Sequence, residues 1–147
     1  MPGGRKQRVT LVTLGVTDLV RAREFYEAWG WVPEFSNEGI VFFQGNGLVI
    51  GLFGLSELAA DQGRPGEVLG FGAMTLAQNY GTTAEVDERF RAALAAGATM
   101  LRRPVETSWG GYSGYIADPD GHVWELAMNP FWTVDEWGST DLRDPAA

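Results

Sequence analysis

Residues 114–130 read GYIADPDGHVWELAMNP. Two apolar, β-prone runs flank Asp118-Pro119-Asp120-Gly121, a sequence that turns a chain sharply because Pro presets φ and Gly accepts positive φ. The spacing predicts a hairpin with strands over 111–117 and 122–128. In the second strand Trp124, Leu126 and Met128 share one face, and Val123, Glu125 and Ala127 share the other. The bulky set suits a helix-packed face, which leaves Glu125 on the opposite one.

Working outward, the strand of 98–103 precedes this hairpin. Before it, Val86, Phe90, Ala93 and Leu94 recur at helical spacing behind a Thr82/Glu85 capping box, and Gly97 ends the run. A strand over 71–79 comes first. The same order appears earlier in the chain. A strand over 9–16 leads to an Asp18 N-cap and a helix with Leu19, Ala22, Phe25, Tyr26 and Trp29 on one stripe. Gly30 stops it. Strands over 31–35, 39–45 and 47–53 follow, the last two around Gly45-Asn46-Gly47. The order β-α-β-β-β therefore occurs twice, as an internal duplication would produce. Module one spans 8–54, a connection 55–68 and module two 69–128. A single domain over 1–132 is followed by a tail over 133–147, whose end is expected to be mobile, and the aromatics of 129–147, Phe131, Trp132 and Trp137, are expected to pack on the domain. The fold class is α+β, with two curved mixed sheets forming a cup and helices on the outer faces.

Composition narrows the function. The chain has 147 residues, 45% hydrophobic, and a formal net charge of -8 from 11 basic and 19 acidic residues. That balance opposes a nucleic-acid footprint and adhesion to an anionic membrane. No cysteine occurs, so thiolate nucleophiles, disulfides and sulfur-bound metals are excluded. His122 is the only histidine. The opening MPGGRKQR leads into no secretory apolar run, so a cytoplasmic location is expected.

Two quoted stretches, LGVTDLVRAREFYEAWGW at 14–31 and GYIADPDGHVWELAMNP at 114–130, resemble the opening and closing segments of the glyoxalase/bleomycin-resistance/extradiol dioxygenase (vicinal oxygen chelate) superfamily. The resemblance covers about 8–130. It implies a cup that holds a transition metal on His or Glu side chains in many members, enzymes such as lyases, dioxygenases and epimerases, drug-sequestering proteins, and a homodimer with Trp132 or Trp137 near the contact. Placed by motif, the ligand positions fall on Leu11, Gly51, Ala73 and Glu125. One carboxylate cannot hold a catalytic metal where about three protein ligands are usual. No metal and no cofactor are therefore expected.

The candidate site then comprises Glu125 as general base or ligand anchor, and Thr13, Thr75, Asn79, Trp109, Tyr112 and Tyr115 as ligand-binding groups. The blander alternative for Glu125 is an ion pair with Arg102 or Arg103. For the Gly-rich aromatic stretch 108–115 it is a core or dimer contact. His122 is expected to be structural. The expected function is binding of a small organic molecule, aromatic or cationic, in the cup. The alternative is a metal-independent lyase or isomerase with Glu125 as base and Asn79 or a tyrosine as polariser.

Overall fold

The computed structural model describes residues 7–142. The expectations for the opening MPGGRK and for a mobile tail end at 143–147 fall outside the described residues.

Module one runs β1 (Leu11–Val16), α1 (Leu19–Trp29), β2 (Pro33–Ser36), β3 (Ile40–Gln44) and β4 (Val49–Gly54). Module two runs β5 (Thr75–Asn79), α3 (Thr83–Ala96), β6 (Thr99–Glu106), β7 (Tyr112–Ala117) and β8 (Val123–Met128), and α2 (Leu55–Asp61) lies between the modules. The sheet orders are β1-β4-β3-β2 and β5-β8-β7-β6, so the duplication is exact in topology. In each, the first strand is parallel to the last and the remaining pairs are antiparallel. The fold is the mixed α+β arrangement that the sequence pattern implies. No helix among the described residues is long and apolar enough to cross a membrane.

Both main helices are bounded by the same chemistry. Asp18 accepts the Arg21 N–H at 3.1 Å and Thr82 accepts the Glu85 N–H at 3.1 Å. Gly30 and Gly97 close the C-termini at φ of 113° and 116°, a left-handed backbone that L side chains resist. The apolar stripes of the helices meet one shared core. Leu14, Val41, Phe43, Ile50 and Leu52 come from the first sheet, and Ile116, Trp124 and Leu126 from the second. Tyr26 has its ring centroid 6.0 Å from Phe43 and 6.1 Å from Trp124, so α1 touches the inner faces of both sheets.

The Asp118-Pro119-Asp120-Gly121 turn locks the modules together. Asp118 is buried. Its Oδ1 accepts the N–H groups of Asp120, Gly121 and His122, each at 2.9 Å. Its Oδ2 accepts the Tyr26 hydroxyl at 2.6 Å, and that hydroxyl accepts the Trp124 indole N–H at 3.1 Å. Asp120 Oδ1 accepts both the N–H and the hydroxyl of Thr17, at 2.9 and 2.8 Å. His122 Nε2 lies 2.7 Å from the Gly15 carbonyl, which requires the proton on that nitrogen. His122 is thus a tie between modules, and Phe71 packs edge-on against it.

Three details differ from the sequence expectations. The connection 55–68 contains α2, whose buried Ala59 and half-buried Leu55 and Leu58 recur at helical spacing over a run too short to stand out. A Cβ on Gly15 would lie 2.7 Å from Leu55 Cδ2, so the glycine lets α2 sit against β1. The strand expected over 71–79 starts only at Thr75, because Gly72 adopts φ of 88° and breaks the extended run. Met74, just before it, is exposed. The tail forms a small hairpin of β9 (Thr133–Val134) and β10 (Thr140–Asp141). Within it Trp132 is half-buried, but Trp137 stays exposed while its carbonyl accepts the Asn46 side-chain N–H.

Replacing Tyr26 by Phe orphans the buried Asp118 Oδ2 and the Trp124 N–H together. Denaturant unfolding at neutral pH should show a loss of about 2 kcal/mol or more. Burial, and then the Asp118 charge, hold the Tyr26 phenol well above its ordinary value, and burial lifts Tyr80 to about 12. A phenol raised on folding stabilises the fold fully below the unfolded value near 10 and loses that contribution as pH rises through the folded value. Stability should therefore fall above about pH 10, less steeply in Tyr26→Phe. A neutral-pH change within about 0.5 kcal/mol would contradict the tie.

Candidate functional site

Each sheet has an inner face on the shared core and an open face that α1 and α3 do not touch. Strand register places side chains on the open faces in rows. In the second sheet Ala77 pairs with Glu125, Glu125 with Tyr115, and Tyr115 with Arg102. One row across four strands therefore reads Ala77, Glu125, Tyr115, Arg102. The corresponding row of the first sheet reads Thr13, Gly51, Phe42, Phe35. The duplicate has filled the acid, phenol and guanidinium positions with glycine and two phenylalanines.

The polar row is ordered from several directions. Arg102 donates from Nη2 to the Ser113 hydroxyl at 2.8 Å, and its guanidinium carbon lies 5.2 Å from the centre of the Tyr115 ring. Ser113 is buried by this contact. Burial raises the Tyr115 phenol above its ordinary value, the adjacent Glu125 charge raises it further, and Arg102 draws it back. Tyr115 is therefore a protonated donor at neutral pH, set between an acid and a cation. Ala77, Ala117 and Ala127 lie around the row on the same face and keep it uncrowded.

Of the residues singled out in the sequence, the structure brings Glu125 and Tyr115 together. Thr75 shares their face, exposed and opposite Val123. Thr13 belongs to the first sheet's open face. Tyr112 sits on the inner side, where its hydroxyl donates to Asp87 of α3 at 2.7 Å. Trp109 is half exposed at the β6–β7 tip. Its indole lies over Gly111, where a Cβ would come within 2.2 Å of the ring. Asn79 shares the open face too, opposite Ala127, and with Ala77 of the row it lines a cavity of about 880 Å³ between the modules, beside Trp31, Asn46, Tyr80, Arg89 and Trp137. Polar groups there are already engaged with the chain. Arg89 donates to the Trp29 carbonyl, Tyr80 to Gln78, and Asn46 to Ser139 and Trp137.

Arg102 is the residue that sequence reading assigned no more than an ion pair with Glu125. The structure records no such ion pair among the described residues and gives it Ser113 instead. Simple alternation misplaces it. Between Met100, opposite Ile116, and Arg102, opposite Tyr115, β6 carries one extra residue. That bulge turns Arg102 from the inner face to the open one, and β2 carries the same irregularity between Pro33 and Phe35, so both modules share it.

The family's metal can be tested on the donor set. Leu11 pairs with Val49 two positions before Gly51, and Thr75 pairs with Val123 two positions before Glu125. Register thus makes Thr75, rather than Ala73, the duplicate of Leu11. The four positions then carry Leu, Gly, Thr and Glu, and a single carboxylate does not fit a transition metal. Among the described residues no group of three or more His, Cys, Asp or Glu side chains could hold an ion.

Comparisons with known proteins agree with this architecture. The family model for the Glyoxalase/Bleomycin resistance protein/Dioxygenase superfamily matches residues 8–126. A solved glyoxalase-related enzyme from Fulvimarina pelagi is 40% identical, with a TM-score of 0.85 over 92% of this chain and 97% of that one. A lactoylglutathione lyase from Agrobacterium tumefaciens is 26% identical, with a TM-score of 0.68 over 86% and 96%. An uncharacterized protein of Mycobacterium bovis is 44% identical over 47 residues, 32% of this chain. That match spans 31% of the relative's own length. The chain belongs to the Glyoxalase/Bleomycin resistance protein/Dioxygenase superfamily.

Proposed function

We propose that this protein binds a small organic molecule on the open face of its second sheet, around Glu125, without the metal centre of its relatives. The observation that carries this reading is the contrast between the duplicated rows. The first sheet builds the same strand geometry with Gly51, Phe42 and Phe35, so the fold does not require Glu125, Tyr115 and Arg102 at these positions. A charged, partly desolvated row that stability does not demand is a functional feature.

A second reading makes the same site a metal-independent lyase or isomerase. It is favoured by the Tyr115 phenol, held protonated beside Glu125. Glu125 would take a proton from carbon while Tyr115 donates to the oxygen that gains charge. The likeness to a glyoxalase-related enzyme supports catalysis as an option.

The site is proposed to be completed by a second copy of the chain. The open faces carry exposed Leu11 and Phe35, and Met74 is exposed beside β5. The edges of β1 and β5 pair with no further strand among the described residues. Pairing two copies would cover apolar surface and unpaired edges together. The location is proposed to be the cytoplasm.

Three outcomes are expected. After incubation with Zn, Ni, Mn or Fe salts and desalting, elemental analysis should find no stoichiometric metal, and one ion per chain would contradict the donor-set argument. Light scattering at micromolar concentration should give twice the chain mass, and a monomer would remove the second copy from the site. For a binder identified by thermal shift, Glu125→Gln should weaken affinity if Glu125 is an anchor. If Glu125 is a base, it should lower turnover about a hundredfold with binding kept. A silent substitution would remove the carboxylate from the site.

A further inference from the structure

The open-face row carries two charged side chains on either side of Tyr115, and the cationic one has no assigned purpose in binding a ligand at Glu125. We infer that Arg102 is an oxyanion anchor, so that the ligand is a small carboxylic acid carrying a separate hydrogen-bond donor. The carboxylate lies on Arg102 and the donor on Glu125. This inference rests on the reading of the open face as the binding surface.

Three observations converge on it. They concern an open-face position that a bulge at Leu101 provides, as the equivalent bulge at Glu34 provides it for Phe35 in the first sheet. Ser113 and the Tyr115 ring then fix the guanidinium from two sides. A guanidinium has five N–H donors. Ser113 accepts one, and no carboxylate pairs with Arg102 among the described residues. The remaining donors form a held, planar fork of the kind that binds carboxylates two bonds at a time. In the duplicate sheet Phe35 occupies the same place in the row, so the cation answers no demand of the strand pairing.

Geometry sets the ligand's size. Glu125 and Arg102 lie two strands apart, roughly 10 Å between backbones at ordinary sheet spacing. A compound with a carboxylate and an amino or hydroxyl group separated by one small ring or a short chain spans that gap. The Tyr115 ring lies between the two, with the Arg102 guanidinium over one of its faces. The chain's net charge of -8 opposes anions at long range, so a built cation is what such a ligand would need.

The test uses matched pairs of small compounds: amino- and hydroxybenzoates, short amino and hydroxy acids, and the methyl ester of each. Binding to the 147-residue chain is followed by NMR, reading the Arg102 Nε–H and the Glu125 and Tyr115 backbone signals. Acids should shift all three and saturate, and their esters should bind about tenfold or more weakly. Arg102→Gln should weaken the acids about tenfold or more and so erase their preference over the esters. Arg102→Lys, which keeps charge without the fork, should restore part of it, and Ser113→Ala should weaken the acids several-fold. These two variants decide the matter if Arg102→Gln does not fold. Acids and esters that shift the face equally, or an acid preference that survives loss of the guanidinium, would overturn the role of Arg102 and leave the binding surface standing. A panel in which no compound shifts the face would overturn both.

Discussion

The Asp118 carboxylate satisfies the backbone of its own turn with one oxygen and the Tyr26 phenol of the other module with the second. Each partner is buried, so neither can exchange the bond for water, and loosening it exposes several polar groups at once. Trp124 completes the chain by donating to the same phenol. Because Tyr26 lies on α1 and Asp118 ends β7, this contact decides how the two modules dock. The docking in turn decides which face of each sheet enters the shared core and which remains open.

With the inner faces fixed, the duplication divides labour between the sheets. Both modules keep the core positions apolar, as Ile50 and Leu52 in one and Trp124 and Leu126 in the other. They diverge on the open faces. The first sheet presents Thr13, Gly51, Phe42 and Phe35, with Phe42 packed over Gly51 closely enough that a Cβ there would lie 3.0 Å from its ring. The second presents Glu125, Tyr115 and Arg102 among alanines. A second copy that brought the two kinds of face together would oppose an aromatic wall and a polar one. That combination orients a small molecule through a few fixed polar groups in otherwise apolar surroundings.

The duplicated order, both helices with their caps, and the face of Glu125 were legible in the sequence. Period-two and period-3.6 patterns report burial directly, and Asp18, Thr82, Gly30 and Gly97 carry end signals that tertiary context did not override. Three things were hidden, each for a local reason. The seven-residue α2 is too short for its period to register. Thr75 replaced Ala73 as the duplicate of Leu11 because glycine backbone delays β5, which motif spacing cannot reveal. Arg102 was hidden by a bulge, since one extra residue reverses every facing inferred from alternation. Tyr112 shows the same limit from the other side. It lies in the aromatic stretch that drew notice, yet its hydroxyl is committed to Asp87.

Ligand binding is proposed at the Glu125–Tyr115–Arg102 row rather than in the 880 Å³ cavity beside Trp31 and Trp137. The most direct measurement is a crystal structure of the protein soaked with its strongest thermal-shift binder. The expected result is ligand density against Glu125 and Tyr115 on the open face of the second sheet, within hydrogen-bond distance of the carboxylate. Density confined to the cavity between the modules, with the open face bare, would contradict the account.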